Sequence, residues 1–440
     1  TADIVAERYP ESPVNPYLQP GVRRVHMDGR AAILQAQEPY DIIQMVHANL
    51  WSAAGLLANT WSPALLETQE AFGTYLDHLS PDGTISFGRG TDTELLVKAA
   101  LRAVWDRGVQ KPWQAIAYVQ GKSHVMLMKK RPWTAAELDL LRSALDTYPG
   151  TKARLVWDPL LENPPPNWDK YSKGQVMRDD RPYVDTFRSV QGALNAVREG
   201  NAETPLAALY RSMLVQVAFV FSAGFVFVLL PYLWKGRREL GELQGGGWAL
   251  LYVACLGYGY LAVETTLVHE LVLFVGHPTY AITVVVLTML LSSGLGSAWV
   301  ERWPQAQIAG RLRGALVGVL ILGALAAWVL PPWMQRELLG LGLELRLGIT
   351  FLLLFPLGFL MGVPFPAAVR LLPAQAAGLA PWCWALNGWM SVVASMGTVL
   401  VARLWGYTAA YEVALGAYVG ALVVGLLLGR VRAAAAPSVL

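Results

Sequence analysis

The sequence predicts two parts in series, an α/β domain followed by an all-α membrane bundle of about seven helices, and three observations carry that reading. Hydrophobic residues make up 54% of the 440, with a mean hydropathy of +0.36, which is more apolar than an ordinary soluble chain. The excess is uneven: up to about Thr204 charges, prolines and short apolar runs are mixed, whereas from Leu206 long apolar stretches recur with few charges inside them. In the first part, β-rich runs alternate with amphipathic helical stretches. The division that follows is 1–160 for the α/β domain, 161–206 for a linker and docking segment, 207–432 for the membrane domain and 433–440 for a tail.

In the first part, VRRVH at 22–26 and DIIQMV at 41–46 read as strands. A helix follows over about 63–79, and SPDGT turns the chain into strand TISFG at 84–88. A second helix over about 92–108 precedes AIAYVQ at 115–120 and HVMLMKK at 124–130, with QGKS between them as a hairpin. Helix 134–146 and strand ARLVW at 153–157 close the pattern. Strands alternating with helices argue a mostly parallel, doubly wound sheet, and the late hairpin argues one reversed strand. This is the order expected of the back half of a methyltransferase-type domain.

A nucleotide site of that class needs a glycine-rich turn after the first strand and an acid after the second, and residues 1–40 hold neither. The missing pieces are therefore expected upstream of Thr1. Position 1 is not Met and no signal peptide precedes an apolar run, so the chain reads as starting in mid-protein. LENPPPNWDKYSKG reads as an irregular loop near the membrane, and Asp179 and Asp180 in RDDRP as a linker or domain-docking segment.

Seven windows are long enough to cross a bilayer core of about 30 Å: 208–233, 247–273, 279–300, 313–331, 347–371, 383–404 and 408–430. The second ends in HELVLFVGHP, where an interfacial turn fits. Trp234, Trp303, Trp333 and Trp382 lie at window ends, as an aromatic belt requires. With seven spans, one face carries Lys235, Arg237, Arg238, Arg302, Arg311, Arg313, Arg370, Arg430 and Arg432 near span ends. The face of the α/β domain offers Arg211, Arg336, Arg346 and Arg403, so nine against four puts the first face in the cytoplasm and the α/β domain outside it.

Gly314 with Gly318 and Gly416 with Gly420 have the spacing that lets helix backbones approach closely. Glu264 lies deep in the second window, with His269, Glu270 and His277 nearer its end. An ionisable group at that depth costs roughly 2.5–3.5 kcal/mol and needs a partner or a watery cavity. Two readings stand: a buried carboxyl, neutral or hydrogen-bonded to a neighbouring helix through a residue such as Asn387, or a site for a cation, proton or amine. No metal site is expected of His269, Glu270 and His277, whose spacing matches no recurrent ligand pattern. Cys255 and Cys383 both fall in spans and read as small apolar residues rather than a disulfide. With a net charge of +3 and no long basic run, no nucleic-acid partner is expected.

Over nearly its whole length the chain resembles the membrane-fused spermidine synthase-like proteins, also described as fused major-facilitator and spermidine synthase proteins. The resemblance rests on VHMDGRAAI, on YDIIQ with the NLWSAAG turn, on TQEAFGTYLDHLSPDGTISFGRG, on HVMLMKKRPWTAAELDLLR and on DDRPYV. In the membrane half it rests on VETTLVHELVLFVGHPTYAITVVVLTMLLSSGLGS and PLGFLMGVPFPAAVRLLPAQAAGLAPWCWALNGWMSVVASMGTVL. It implies that Asp28 with Gly29 occupies the turn that recognises the adenine side of a nucleoside such as S-adenosylmethionine or its decarboxylated form. An Asp in an Asp-Gly turn is also often there to cap the turn. The resemblance further implies a general-base acid in the loop after YDIIQ, where this chain has Asn49. An amide takes no proton at neutral pH, which leaves His47 as the alternative base.

Three functions follow as expectations. The first is a membrane scaffold or partner-binding subunit with a catalytically degenerate domain, in contact with the bilayer and with other subunits or the missing N-terminal part. The second is a transporter of a small amine or other solute, and the third an aminopropyl- or methyltransferase. The expected setting is the bacterial inner membrane, with the α/β domain extracytoplasmic.

Overall fold

A computed structural model describes residues 19–25, 27–46, 64–89, 94–121, 124–147, 153–165, 168–183, 205–236, 246–372 and 378–434. The α/β part contains α1 (Gly29–Leu34), β1 (Tyr40–Val46), α2 (Gln69–Asp77), β2 (Leu79–Arg89), α3 (Glu94–Trp105), β3 (Ile116–Gln120), β4 (His124–Met128), α4 (Ala135–Thr147), β5 (Arg154–Trp157) and the short α5 (Trp168–Ser172). The five strands form one small mixed sheet in the order β1-β2-β4-β3-β5.

Only β1 and β2 pair in parallel; β4 runs antiparallel to both β2 and β3, and β5 antiparallel to β3. The expectation of a mostly parallel sheet with one reversed strand is thus corrected: β4 and β5 are both reversed. The QGKS hairpin sets β4, but β5 pairs with β3 at long range, where no turn dictates direction. The expected strand at 22–26 is also absent over the described residues Val22–Val25, which bond in no ladder. Val22 and Val25 are half exposed there, so no apolar face drives pairing.

The SPDGT turn is absorbed into β2 as a bulge. Tyr40 pairs with Leu79 and Ile42 with Thr84, so the residues between are looped out. Glycine is required at position 83, because a Cβ there would lie 2.7 Å from Leu79 Cγ. Local chemistry fixes the helices around the sheet. Thr68 caps α2, its Oγ1 accepting from Ala71 N at 3.1 Å. Before α4, Thr134 N donates to Glu137 Oε2 and Glu137 N to Thr134 Oγ1, a reciprocal capping box. The core between sheet and helices is built on Phe72, Tyr75 and Phe87, whose ring centroids lie 5.1–6.0 Å apart, with Leu96, Ile85 and Met128 buried beside them.

The second part contains α6 (Pro205–Gly224, extended by π turns through Gly236), α7 (Gly246–Val275), α8 (Pro278–Glu301), α9 (Ile308–Trp328), the short α10 (Leu330–Glu337), α11 (Leu343–Met361), α12 (Pro364–Arg370), α13 (Ala380–Trp405) and α14 (Tyr407–Ala434). Among the described residues, seven helical stretches are long and apolar enough to cross a bilayer, which supports an integral membrane protein. The fourth runs from Gln305 to Trp328, about two helical turns earlier than the apolar window begins, because Arg311 and Arg313 lie inside the helix. Outward-facing Phe219, Phe227, Leu290 and Leu352 are exposed, as a lipid-facing surface requires.

Helix α7 packs against α8, α13 and α14. One glycine of each expected pair is close to a neighbouring helix: a Cβ on Gly318 would lie 2.5 Å from Leu360 Cδ1, and one on Gly420 3.3 Å from Cys255 Sγ. Gly314 and Gly416 have open space around them. Backbones themselves come close between α8 and α11, where a Cβ on Gly296 would lie 1.9 Å from Phe359 O, and one on Gly362 2.0 Å from Ser293 O, and between α7 and α13, where one on Gly257 would lie 2.4 Å from Asn387 O. Gly358, one turn before Gly362, lies against Ser292 and Met289.

Candidate functional site

The expected nucleoside turn sits where the α/β part meets the membrane helices. Asp28 is the N-cap of α1, its Oδ1 accepting from Arg30 N at 3.0 Å and Ala31 N at 3.1 Å. Its own backbone N donates to Gly276 O at 2.6 Å. Gly276 ends α7 with a φ of +84°, and a Cβ there would lie 3.2 Å from Arg346 Nη1 and 3.6 Å from Ala31 Cβ. Asp28 therefore caps a helix and is bonded through its amide to the residue that ends α7. Beside it, Gly29 has nothing nearer than 4.0 Å to the place of a Cβ, so neither crowding nor backbone conformation calls for glycine there.

A buried ion pair lies directly behind this turn. Arg30 donates from Nη1 and Nη2 to Asp179 Oδ1 and Oδ2 at 2.6 and 2.7 Å, the planar two-pronged geometry that guanidinium favours. Thr68 Oγ1 donates to Asp179 Oδ1 at 2.6 Å, and Asp179 N to Glu70 Oε2 at 3.0 Å. Burial opposes the charge of Arg30, but the hydrogen bonds and charge of Asp179 outweigh it and raise the guanidinium above its ordinary value. Burial, then the nearby Asp179 charge, raises the Glu70 carboxyl.

Asp180 reaches the membrane part. Its Oδ1 accepts from Thr408 N and Thr408 Oγ1, both at 2.7 Å, and its backbone O accepts from Tyr407 N at 2.7 Å. Arg181 Nε donates to Arg403 O at 2.6 Å, and the Tyr183 and Tyr407 hydroxyls lie 2.5 Å apart. Arg403 lies over the Tyr183 ring at 4.8 Å. Burial raises the Tyr183 phenol above its ordinary value, offset in part by the Tyr407 hydrogen bond and the Arg403 charge. RDDRP is thus a docking segment: Asp179 ties it to α1 and α2, and Asp180 to the start of α14.

The membrane polar residues do not converge on one site. Glu264 is buried in α7, and its Oε2 has no hydrogen-bond partner among the described residues. Asn387 Nδ2 donates instead to Val253 O at 3.4 Å. Val253 lies eleven positions before Glu264 on one helix, about 16 Å along its axis, so Asn387, the example offered as a hydrogen-bond partner of Glu264, bonds at another depth of α7. His269 stacks on Tyr407 at 4.6 Å, with Glu270 next to it in α7. His277 is the N-cap of α8, its Nδ1 accepting from Thr279 N at 3.2 Å. His47 and Asn49 lie outside the described residues.

Sequence reasoning counted Arg346 only as a span-end charge; it is buried and donates from Nη1 to Phe274 O at 2.8 Å, bonding a terminal carbonyl of α7. An arginine directly at the edge of the apolar window 347–371 was the available signal. Comparison with protein-family models, with curated proteins and with solved structures found no match to this chain.

Proposed function

We propose that this protein is an integral membrane docking subunit whose α/β part is a spermidine synthase-like, methyltransferase-type half-domain without a working catalytic centre. One observation carries the reading. The acid that the resemblance assigns to nucleoside recognition, Asp28, is engaged as a helix cap and bonded through its amide to the end of α7. The insertion of reversed β4 between β2 and β3 supports the methyltransferase-type assignment. Among the described strands β1 is an edge, with Ile42 and Val46 exposed, which suits a further strand from a partner subunit.

The test is calorimetry of the purified full-length protein with S-adenosylmethionine and its decarboxylated form, with Asp28→Ala as control. No heat of binding is expected. Micromolar binding that disappears in the control would restore an intact nucleoside pocket and end the docking reading. The positive-inside bias supports an α/β part outside the cytoplasm. Reporter fusions after Gln305 and after Glu337 test it, the first expected to be cytoplasmic and the second not.

Glu264 favours a second reading, transport of a cation or amine, because a buried carboxylate oxygen without a hydrogen-bond partner among the described residues is what such a ligand would satisfy. Uptake of a radiolabelled amine into proteoliposomes, lost in Glu264→Gln, would put transport first.

A further inference from the structure

A cavity of about 260 Å³ opens among α7, α9, α12, α13 and α14, at the end of the bundle opposite the α/β part. Its wall is almost entirely aliphatic and aromatic, including Tyr252, Leu316, Cys383 and Leu422. Among the described lining residues Arg313 carries the one charge, and it is exposed. On α9 the lining positions Ala309, Leu312, Arg313 and Leu316 follow the i, i+3, i+4, i+7 spacing of one helix face, so the arginine belongs to the same wall as the apolar residues. These positions span about 10 Å of helix rise.

The volume lies just under the roughly 300–1,000 Å³ of pockets for drug-sized ligands. An apolar cavity of this volume, lined along about 10 Å of α9, accommodates part of an extended hydrocarbon chain. Water gains little there, because an apolar cavity offers it few partners. Left empty, the lining would lose its dispersion contacts on one side. In a bilayer the abundant apolar filler is a lipid tail. The bundle end around the cavity also carries the larger share of the Lys and Arg near span ends, with Arg302, Arg311, Arg313 and Arg370 at the ends of α8, α9 and α12. We infer that this cavity is a binding site for one acyl chain of an anionic phospholipid of the adjoining leaflet, with Arg313 holding the headgroup phosphate.

The experiment is native mass spectrometry of the full-length protein released from mild detergent with equal amounts of phosphatidylglycerol and phosphatidylcholine of identical chains. One lipid retained per chain, with phosphatidylglycerol favoured, is the expected result. Arg313→Gln should lower that preference about fivefold, the weight of one basic side chain at an anionic surface. Ala309→Trp, at an exposed lining position, should fill the mouth and remove retention of both lipids. Equal retention of the two lipids by the native protein, no lipid retained at all, or retention untouched by Ala309→Trp would each overturn the assignment.

Discussion

Asp180 and Thr408 lie 228 positions apart in sequence, yet the Asp180 carboxylate accepts from both the backbone N and the Oγ1 of Thr408 at 2.7 Å. An acid at this place satisfies an otherwise orphaned donor and opposes the positive end of the α14 dipole. Asp180→Ala is expected to lower stability by about 1 kcal/mol, the usual weight of a helix cap, and Asp180→Asn by much less. Gly406→Ala should cost more than either, since its φ is +100° and its Cβ would lie 2.0 Å from Asp180 Oδ2. Thermal unfolding of the detergent-solubilised protein measures all three. An alanine at 180 as stable as the native residue would refute the cap.

The Arg30–Asp179 pair should behave asymmetrically. The Arg30 side chain is 6% exposed and that of Asp179 29%. Asp179→Ala strands a guanidinium that water hardly reaches and should cost about 3 kcal/mol, at the lower end of the range for a broken buried pair. Arg30→Ala leaves a carboxylate that water and Thr68 still reach, and should cost less. The double variant should be less destabilised than the sum of the two singles, as coupled partners require. Denaturant unfolding of the four proteins is the check, and strict additivity would rule out the pair as the latch between RDDRP and α1.

Glu70 gives a pH dependence whose direction is fixed by its environment. Burial first, then the Asp179 charge, raises its carboxyl above the ordinary value, against the opposing backbone hydrogen bonds and Arg30 charge. A folded pKa above the unfolded one means that the folded state binds the proton more tightly. The stability this gives is complete below the unfolded value of about 4.3 and is lost as pH rises through the folded value. Glu70→Gln keeps an acceptor for Asp179 N, so it should be more stable than the native protein at neutral pH. The advantage should shrink on acidification and vanish below about pH 4. Unfolding midpoints measured across pH would contradict this if the gap widened in acid.

The membrane helices were legible because long apolar windows need no partner to be recognised: 247–273 and 279–300 anticipate α7 and α8 within a few residues. Asp28 was legible as a turn cap, because capping is written in the residues next to it. The sheet was harder to read. The reversal of β5 depends on its pairing with β3, and the β2 bulge on the contact between Gly83 and Leu79. The Arg30–Asp179 latch joins positions 149 apart, and neither residue type at its own position marks the other. Asn387 and Glu264 fell in adjacent helices as expected, but at depths that only the packing of α7 on α13 decides.

That lesson gives the last prediction. Spacing alone nominated Gly314 with Gly318, but packing decides which glycines matter. A methyl at position 314 meets open space, and alanine gains helix propensity there, so Gly314→Ala should be neutral or stabilising by up to ~1 kcal/mol. At position 362 the same methyl would lie 2.0 Å from Ser293 O, a backbone atom that cannot swing aside. Gly362→Ala must therefore push α8 and α11 apart along a crossing that also involves Gly296 and Gly358, and overpacking of this kind costs about 1–3 kcal/mol or more. The two variants carry the same chemical change on different helices, at α9 and at the end of α11. Melting of both in one detergent therefore isolates the effect of helix approach: a large loss at 362 with none at 314 is expected, and equal losses would mean that α8 and α11 are not held in contact by small residues.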